Sequence, residues 1–568
     1  MKIISTLCLT IILTVNALAT QPSIYGENGM VVAHDLEACE AGIEILKKGG
    51  NAVDAAVAVS YALAVTHPQA GNIGGGGFML IHMADGQKVA IDYREMAPGQ
   101  AYRDMFLDDS GKVVPQLSVR GGLAVGVPGT VAGLQLALDK YGSMARKKVM
   151  KPAIKLAQKG FAIPYDLAYS FGWLNKAAEN FPETRRVFCR DGDIYMPGAT
   201  FKQPDLAKTL KLIQKKGNAG FYAGAVAEAL VKSSSKYGGK ITTQDLTNYT
   251  AKIRKPVIGN YRGLEVISMP PPSSGGIALI SMLNMMEPMV FDSVGWHSAQ
   301  HIQMLAEVEK RAYADRSVWL GDSDFFEVPQ EKLLSKEYAT FRMADYDSLT
   351  ATPSDSVYPL NDKELAGIEL AGHESEETTH FSVVDKWGNA VSVTTTLNWS
   401  FGSYVTVKGF GFLLNNEMDD FSSKPGEPNS FGLIGNEANA IEPKKRMLSS
   451  MTPTILAKDG KVVLVVGAPG GSTIITTVLQ VIHNMVDFGM PVHDAVNVPR
   501  FHHQWRPDVI HYGPGAISPD TMVLLEAMGY ELAPRYGYGE VNAISRDKIF
   551  GGWIGAPDLK TASHGAGY

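Results

Sequence analysis

The first chemistry this sequence offers is a threonine at the head of a strand. Glu374–Asp385 reads ESEETTHFSVVD. Its acidic half has the composition of a solvated linker. Its second half alternates as a β-strand, and the join falls at Thr378. A threonine hydroxyl is a poor nucleophile unless a base lies beside it. A cut between Glu377 and Thr378 would supply that base, because the freed α-amine lies within reach of its own hydroxyl. An α-amine has a pKa of about 7.7–8.0, so much of it is neutral near neutral pH and can accept the hydroxyl proton.

The elements on either side must hold that residue still. Thr378–Val384 and Ala390–Asn398 read as a hairpin closed by the loop 385–389. Residues equidistant from Trp387 then oppose one another, which sets Val384 against Ala390 and Thr378 against Thr396, with paired Cα atoms about 4.5–5.5 Å apart. A loop one residue shorter would turn Thr396 to the other face. One face carries Thr379, Phe381, Val383, Val391, Val393, Thr395 and Leu397 and belongs to a core. The other carries Thr378, His380, Ser382, Ser392, Thr394, Thr396 and Asn398, without the Lys, Glu and Arg of a solvent face. A polar layer enclosed by another part of the chain is expected there.

Around this hairpin the chain reads as layered α/β. EACEAGIEILKKGGNAVDAAVAVSYALAV predicts two helices, separated at Gly49-Gly50, with Asn51 capping the second. GNIGGGGFMLIHM is a glycine loop running into a strand; it has neither phosphate-loop nor dinucleotide spacing. Helices are predicted near Gly129–Tyr141, Lys148–Lys159, Asp205–Lys216 and His297–Arg316, and PPPSSGG (residues 270–276) reads as a rigid turn into another. From Tyr346 to Glu377 the periodicity fades into Ser, Thr, Asp and Glu, as in an exposed linker. Beyond it, GFGFLL, PTILAKDGKVVLVVGAP and NAISRDKIFGGWIGA predict strands and hairpins.

Composition narrows the class. With 568 residues and 45% hydrophobic content the chain can bury a large core. Its net charge of −6 and lack of a contiguous Lys/Arg block speak against nucleic acid or an anionic membrane as partner. Residues 1–19 have the short basic start, apolar run and Ala17-Leu18-Ala19 ending of an export signal, and no later run is long enough to span a membrane. Cys39 and Cys189 are left after Cys8 departs with the signal; they are read as buried thiols, with pairing left open. No spacing of His and Cys supports a metal, and no cofactor is expected. His502 and His503 are adjacent on a strand and would face opposite ways. His380 is read as structural, and Asp315 and Arg316 as a structural ion pair or solvated helix contacts.

ETTHFSVVDKWGNAVSVTTTLN, GFLLNNEMDDFS, RMLSSMTPTI and GAPGGSTIITTVLQV resemble the small subunit of γ-glutamyltransferases, also called glutathione hydrolases. GGNAVDAAVAVSYALAVTHPQAGNIGGGGFM, DYREMAP, GVPGTVAG, PPPSSGG and EKRAYADRSVWLGD resemble the large subunit, in the family's order and from about residue 25 nearly to the end. The resemblance implies an N-terminal-nucleophile hydrolase of α/β (α+β) class with a four-layer αββα sandwich. It implies a precursor cut at Glu377–Thr378 into a large subunit (20–377) and a small subunit (378–568) that remain together as a heterodimer. Glutathione and other γ-glutamyl compounds would be donors; water, amino acids or dipeptides would be acceptors. The pattern resembles bacterial members, which points to the periplasm.

Carried over by position, the resemblance makes Thr378 the nucleophile and Thr396 the residue that orients it. Gly470 and Gly471 would supply backbone N–H groups to the oxyanion. Arg94 would clamp the substrate α-carboxylate with help from Ser449 and Ser450, and Asn398, Glu417 and Asp420 would hold the α-ammonium. Phe431 stands in the substrate lid where many bacterial relatives have tyrosine, which removes a hydroxyl from the lid. Glu417 stands where some relatives have glutamine. The C-terminal GAPDLKTASHGAGY departs from the family's usual Asp-Pro-Arg pattern and receives no role. Two other readings stay open: an amidase of the same fold acting on glutaryl groups, and a non-catalytic periplasmic binding protein that is never cut.

Overall fold

The computed structural model describes residues 23–190, 193–360, 378–427, 429 and 433–568. The expected signal at 1–19, Glu377 and Phe431 lie outside the described residues.

Two antiparallel seven-stranded sheets form the centre. One runs, in spatial order, His564–Gly567, Met30–Ala33, Thr378–Val384, Ala390–Thr396, Gly76–His82, Lys88–Asp92 and Lys252–Arg254. The other runs Ile24–Gly26, Trp553–Pro557, Asn542–Arg546, Lys461–Val466, Thr454–Lys458, Leu264–Ser268 and Val257–Tyr261. Thr378 therefore opens a central strand, paired on both sides. The segments on either side of the 377–378 junction interleave in both sheets, so they share one sandwich and one core.

Helices Leu36–Lys47 and Ala52–Thr66 cover the outer face of the first sheet. The second is buried along its whole length and starts in a capping box: the Asn51 side chain accepts from the Asp54 N–H, and the Asp54 carboxylate accepts from the Asn51 N–H. Phe381, Val383, Val391 and Val393 pack under these helices. On the far side, Gly275–Met286, Thr473–Val486 and Ala299–Trp319 cover the second sheet. Helix, sheet, sheet and helix follow in that order, matching the expected αββα arrangement.

The polar face of the hairpin is enclosed by the second sheet. Ser382 Oγ donates to the Asn542 carbonyl at 2.8 Å, and Ser392 Oγ to the Val466 carbonyl at 3.2 Å. Asn542 Nδ2 donates to the His380 carbonyl at 2.8 Å. Only Val384 and Ala390, at the hairpin's far end, join Phe78, Leu80, Ile455 and Val465 in the apolar part of the interlayer.

Two expectations change, and the open question of cysteine pairing closes. GFGFLL is not a strand: Gly409 and Gly411 adopt positive φ (76° and 70°), which breaks the extended run. Residues 351–360 are not a loose linker. Trp505 Nε1 donates to the carbonyls of Ser354 and Val357, the Leu360 N–H donates to Asp315, and Val357 and Leu360 are buried. Cys39 and Cys189 are both buried free thiols, so they do not pair.

Candidate active site

The hairpin register is the one read from sequence. Thr378 pairs with Thr396 and Val384 with Ala390, around the loop 385–389. Asp385 shapes that loop by accepting from the backbone N–H groups of Trp387 and Asn389. At the open end, Thr378 Oγ1 donates to Thr396 Oγ1 at 3.3 Å. Thr396 is itself fixed: its Oγ1 accepts the Asn398 N–H at 2.7 Å, and its carbonyl accepts from Asn72 Nδ2 at 2.8 Å. Asn72 also caps the glycine loop, accepting the Gly75 N–H at 2.9 Å. A Cβ on Gly75 would stand 2.2 Å from the Thr396 carbonyl oxygen, so glycine there allows the loop to press against the strand behind the hydroxyl pair. Thr379 is buried on the opposite face.

Arg94 is fully buried and forms the centre of a charge cluster. It ion-pairs with Glu417 and Asp420, and with Glu95 at 3.5 Å. Its Nε and Nη2 donate to the Met447 and Leu448 carbonyls at 3.3 and 3.1 Å. Burial lifts the carboxyls of Glu417 and Asp420 above the usual range despite Arg94 beside them, and pushes Glu95 up to about 8. Burial works against the Arg94 charge, but the three carboxylates outweigh it and raise its pKa. The guanidinium and the acids expected at opposite ends of a substrate thus hold each other here. An amino-acid head carries the same two charges in reverse, a carboxylate for Arg94 and an ammonium for the acids.

Ser449 and Ser450 form the adjacent wall. The Ser449 carbonyl accepts from the N–H and Oγ of Ser274, both at 2.7 Å, so the PPPSSGG turn braces this strand end. Arg316 joins them: its Nε donates to Ser274 Oγ and its Nη2 to Ser450 Oγ, both at 3.0 Å. Arg316 is thus buried in the site wall rather than in solvated helix contacts. Asp315 keeps its structural role, accepting from the Tyr338 hydroxyl and the Leu360 N–H. Asn439, missed in the sequence, donates through Nδ2 to the Asp420 carbonyl at 2.7 Å and accepts the Leu448 N–H at 2.9 Å. It ends the single-turn 3-10 helix Glu437–Asn439, too short to show a periodic pattern, so no sequence signal marks it.

A small cavity of about 40 Å³ lies among Arg94, Thr378, Asp420, Ser449, Ser450 and Gly471. Thr396, Asn398, Arg316 and Asn439 also line it, whereas Glu417 and Gly470 lie outside its wall. Glu417 is fully buried against Arg94, behind the cavity wall. Gly470 and Gly471 both take positive φ (129° and 56°) immediately before the helix Thr473–Val486. A second cavity, about 500 Å³, meets the first at Thr378 and is walled by His34, Asp166, Glu540 and Lys560. His34 Nδ1 lies 2.7 Å from Glu540. His380 bonds Thr394 and Ser382, His502 bonds Thr476 and Gln504, and His503 pairs with Asp508, all as structural contacts.

Comparison with known proteins gives a consistent result. The family model described as gamma-glutamyltranspeptidase matches residues 38–568. The glutathione hydrolase proenzyme of Escherichia coli K12 is 50% identical over 524 residues, covering 92% of this chain and 88% of that protein. Among solved structures, a cephalosporin acylase from Bacillus halodurans superposes with a TM-score of 0.82 at 25% identity, covering 96% of this chain and 97% of that one. A Helicobacter pylori gamma-glutamyltranspeptidase chain gives 0.56 at 48% identity, covering 57% of this chain and 93% of that one.

Proposed function

This chain belongs to the gamma-glutamyltranspeptidase family, and from that membership we propose that it is a self-processing γ-glutamyltransferase and glutathione hydrolase with Thr378 as nucleophile. The observation that carries the reading is the placement of Thr378: it heads a central strand, faces Thr396 and borders both cavities.

In processing, Thr378 Oγ1 attacks the Glu377 carbonyl, the acyl group moves from nitrogen to oxygen, and water hydrolyses the ester. That frees the α-amine of Thr378. In turnover this amine takes the Thr378 hydroxyl proton while Oγ1 attacks the γ-carbonyl of the donor. The oxyanion is met by the Gly470 and Gly471 N–H groups; one such donor is worth roughly 2.7–4 kcal/mol. The proton then passes to the departing amine, leaving a γ-glutamyl ester on Thr378. Water gives hydrolysis; an amino acid or dipeptide amine gives transfer.

Arg94 takes the donor α-carboxylate together with Ser449 and Ser450, Asn398 and Asp420 take the α-ammonium, and Glu417, expected from the resemblance beside them, supports the site from behind Arg94. The carboxylate and ammonium replace the internal Arg94–acid pairs, so the buried charges stay compensated. Leaving amine and acceptor use the second cavity, where Lys560 offers a cation. The products of processing are residues 20–377 and 378–568, which stay associated through the shared sheets. Export by residues 1–19 to the periplasm completes the reading; among the described residues no helix is long and apolar enough to cross a membrane.

The test has two arms. Intact mass with N-terminal sequencing of the mature protein should give a fragment starting at Thr378; a chain that stays whole would favour a binding protein. Paired assays on γ-glutamyl and glutaryl anilides should show a clear preference for the first. Equal turnover would remove α-amino recognition and favour a glutaryl acylase.

A further inference from the structure

The fold assembles a basic face from two segments that are separate in sequence. Residues 146–159 hold six Lys/Arg and no acid, and residues 202–216 hold five Lys and one Asp, in a chain whose net charge is −6. The segments form the helices Arg146–Val149, Lys151–Lys159 and Pro204–Lys216. Arg146 ties the first to the third through a bond from its Nε to the Gln214 carbonyl at 3.1 Å, returned by Gln214 Nε2 to the Lys147 carbonyl at 3.0 Å. The Gln203 N–H donates to the Ala157 carbonyl at 2.9 Å, joining the second to the third.

Lys147, Lys148, Lys151, Lys155, Lys159, Lys202, Lys208, Lys211, Lys215 and Lys216 are all exposed. Asp205, the one acid within the two segments, pairs with Arg186 at 2.5 Å. Among the described residues no ion pair engages these lysines, and Lys208 lies over the Phe410 ring at 4.6 Å. Between the second and third helices runs a groove of about 480 Å³. Pro204, Ala207 and Leu212 give it an apolar floor, and Lys208, Lys211 and Lys215 stand along it.

We propose that this face docks on anionic phospholipid, with the groove seating part of a lipid and the lysines meeting its phosphates. Charge complementarity selects an anionic partner, and the groove selects an amphiphile. Nucleic acid fits less well: no aromatic ring lines the groove for base stacking, and lysine lacks the planar fork of arginine. The sequence alone argued against an anionic membrane because neither segment is a long cationic run.

The test is co-sedimentation of the processed enzyme with vesicles of pure phosphatidylcholine and of phosphatidylcholine with phosphatidylglycerol. Binding is expected only to the second, and it should vanish near 1 M salt, where the Debye length falls to about 3 Å. The variant Lys155→Gln/Lys208→Gln/Lys211→Gln/Lys215→Gln should lower the partition coefficient by roughly 100-fold or more, since each lysine near such a surface is worth about fivefold. A control variant with Lys386, Lys458, Lys461 and Lys548 changed to Gln should bind as the parent does. Equal binding to both vesicle types, unchanged binding of the first variant, or tighter retention by duplex DNA than by the anionic vesicles at equal salt would each overturn the proposal. The readout is independent of turnover, so failure here leaves the catalytic assignment untouched.

Discussion

Thr378 and Thr396 face one another across two antiparallel strands, with hydroxyls 3.3 Å apart. They differ in how they are held. Thr396 is pinned by the Asn398 N–H on its hydroxyl and by Asn72 on its carbonyl. Thr378 stands at the end of its strand and is only partly buried. On the proposed reading, one hydroxyl is a fixed reference and the other the reacting group.

Thr378→Ala should abolish both the cut and turnover. Denaturing electrophoresis of the purified variant should give a single full-length band, with no release from a γ-glutamyl anilide. Thr378→Ser should still cut, more slowly. A Thr378→Ala protein that separates into two bands would assign the nucleophile elsewhere.

Thr396→Val keeps the shape of the side chain and removes the hydroxyl that positions Thr378. Processing and turnover should both slow by roughly 100-fold, the scale of a misplaced reacting group. Thr396→Ser should recover most of the loss. Similar rates for the two variants would mean that Thr396 acts through packing alone.

Arg94→Lys preserves charge but loses the fork that spans Glu417, Asp420 and two backbone carbonyls. The kcat/KM for a γ-glutamyl donor should fall roughly 100-fold, mostly through KM, on the scale of one or two lost charge-assisted hydrogen bonds. Arg94→Ala should also destabilise the fold by roughly 3–5 kcal/mol, because it strands buried carboxylates. Steady-state kinetics and denaturant unfolding separate the two effects. A kcat loss at constant KM would move Arg94 from binding to chemistry.

The hairpin was readable because its loop and its two alternating faces fix one register, and a slip by one residue would have put Phe381 and Val383 on the polar side. The helix cap at Asn51 was local and equally visible, although its reciprocal bond with Asp54 was not read. Arg316 was hidden: it lies on a helix buried almost throughout, where no polar face distinguishes it, and its partners Ser274 and Ser450 come from distant segments. Pairing of Arg94 with the acids was hidden for a related reason. Residue types show which charges a site holds, whereas which of them meet depends on packing across the chain. GFGFLL misled because its alternation suits a strand, while its glycines sit at positive φ. The linker reading failed at 351–360 because Trp505, far along the chain, supplies the anchor.

Stability should fall as pH rises, through Glu95. Burial lifts its pKa from an ordinary value near 4.5 to about 8 in the folded chain. A carboxyl whose folded pKa lies above its unfolded one holds its proton more tightly when folded. Its contribution to stability is complete below about 4.5 and is lost as pH climbs to about 8. Against its burial, His34 is held protonated by Glu540 and Asp166 and has the same sign, as have Glu309, Glu417 and Asp420. Burial holds His67, His301 and His502 neutral and gives them the opposite sign, so Glu95 is read from the difference between variant and parent. Glu95→Gln removes this one titration and leaves the others. Melting should be followed from pH 5 to 8.5 in a Thr378→Ala background, where a single uncut chain unfolds. Relative to the parent, Glu95→Gln should gain melting temperature steadily as pH rises across this range. Parallel curves would mean that Glu95 does not carry the extra proton, which would then belong to Glu417 or Asp420 beside the same guanidinium.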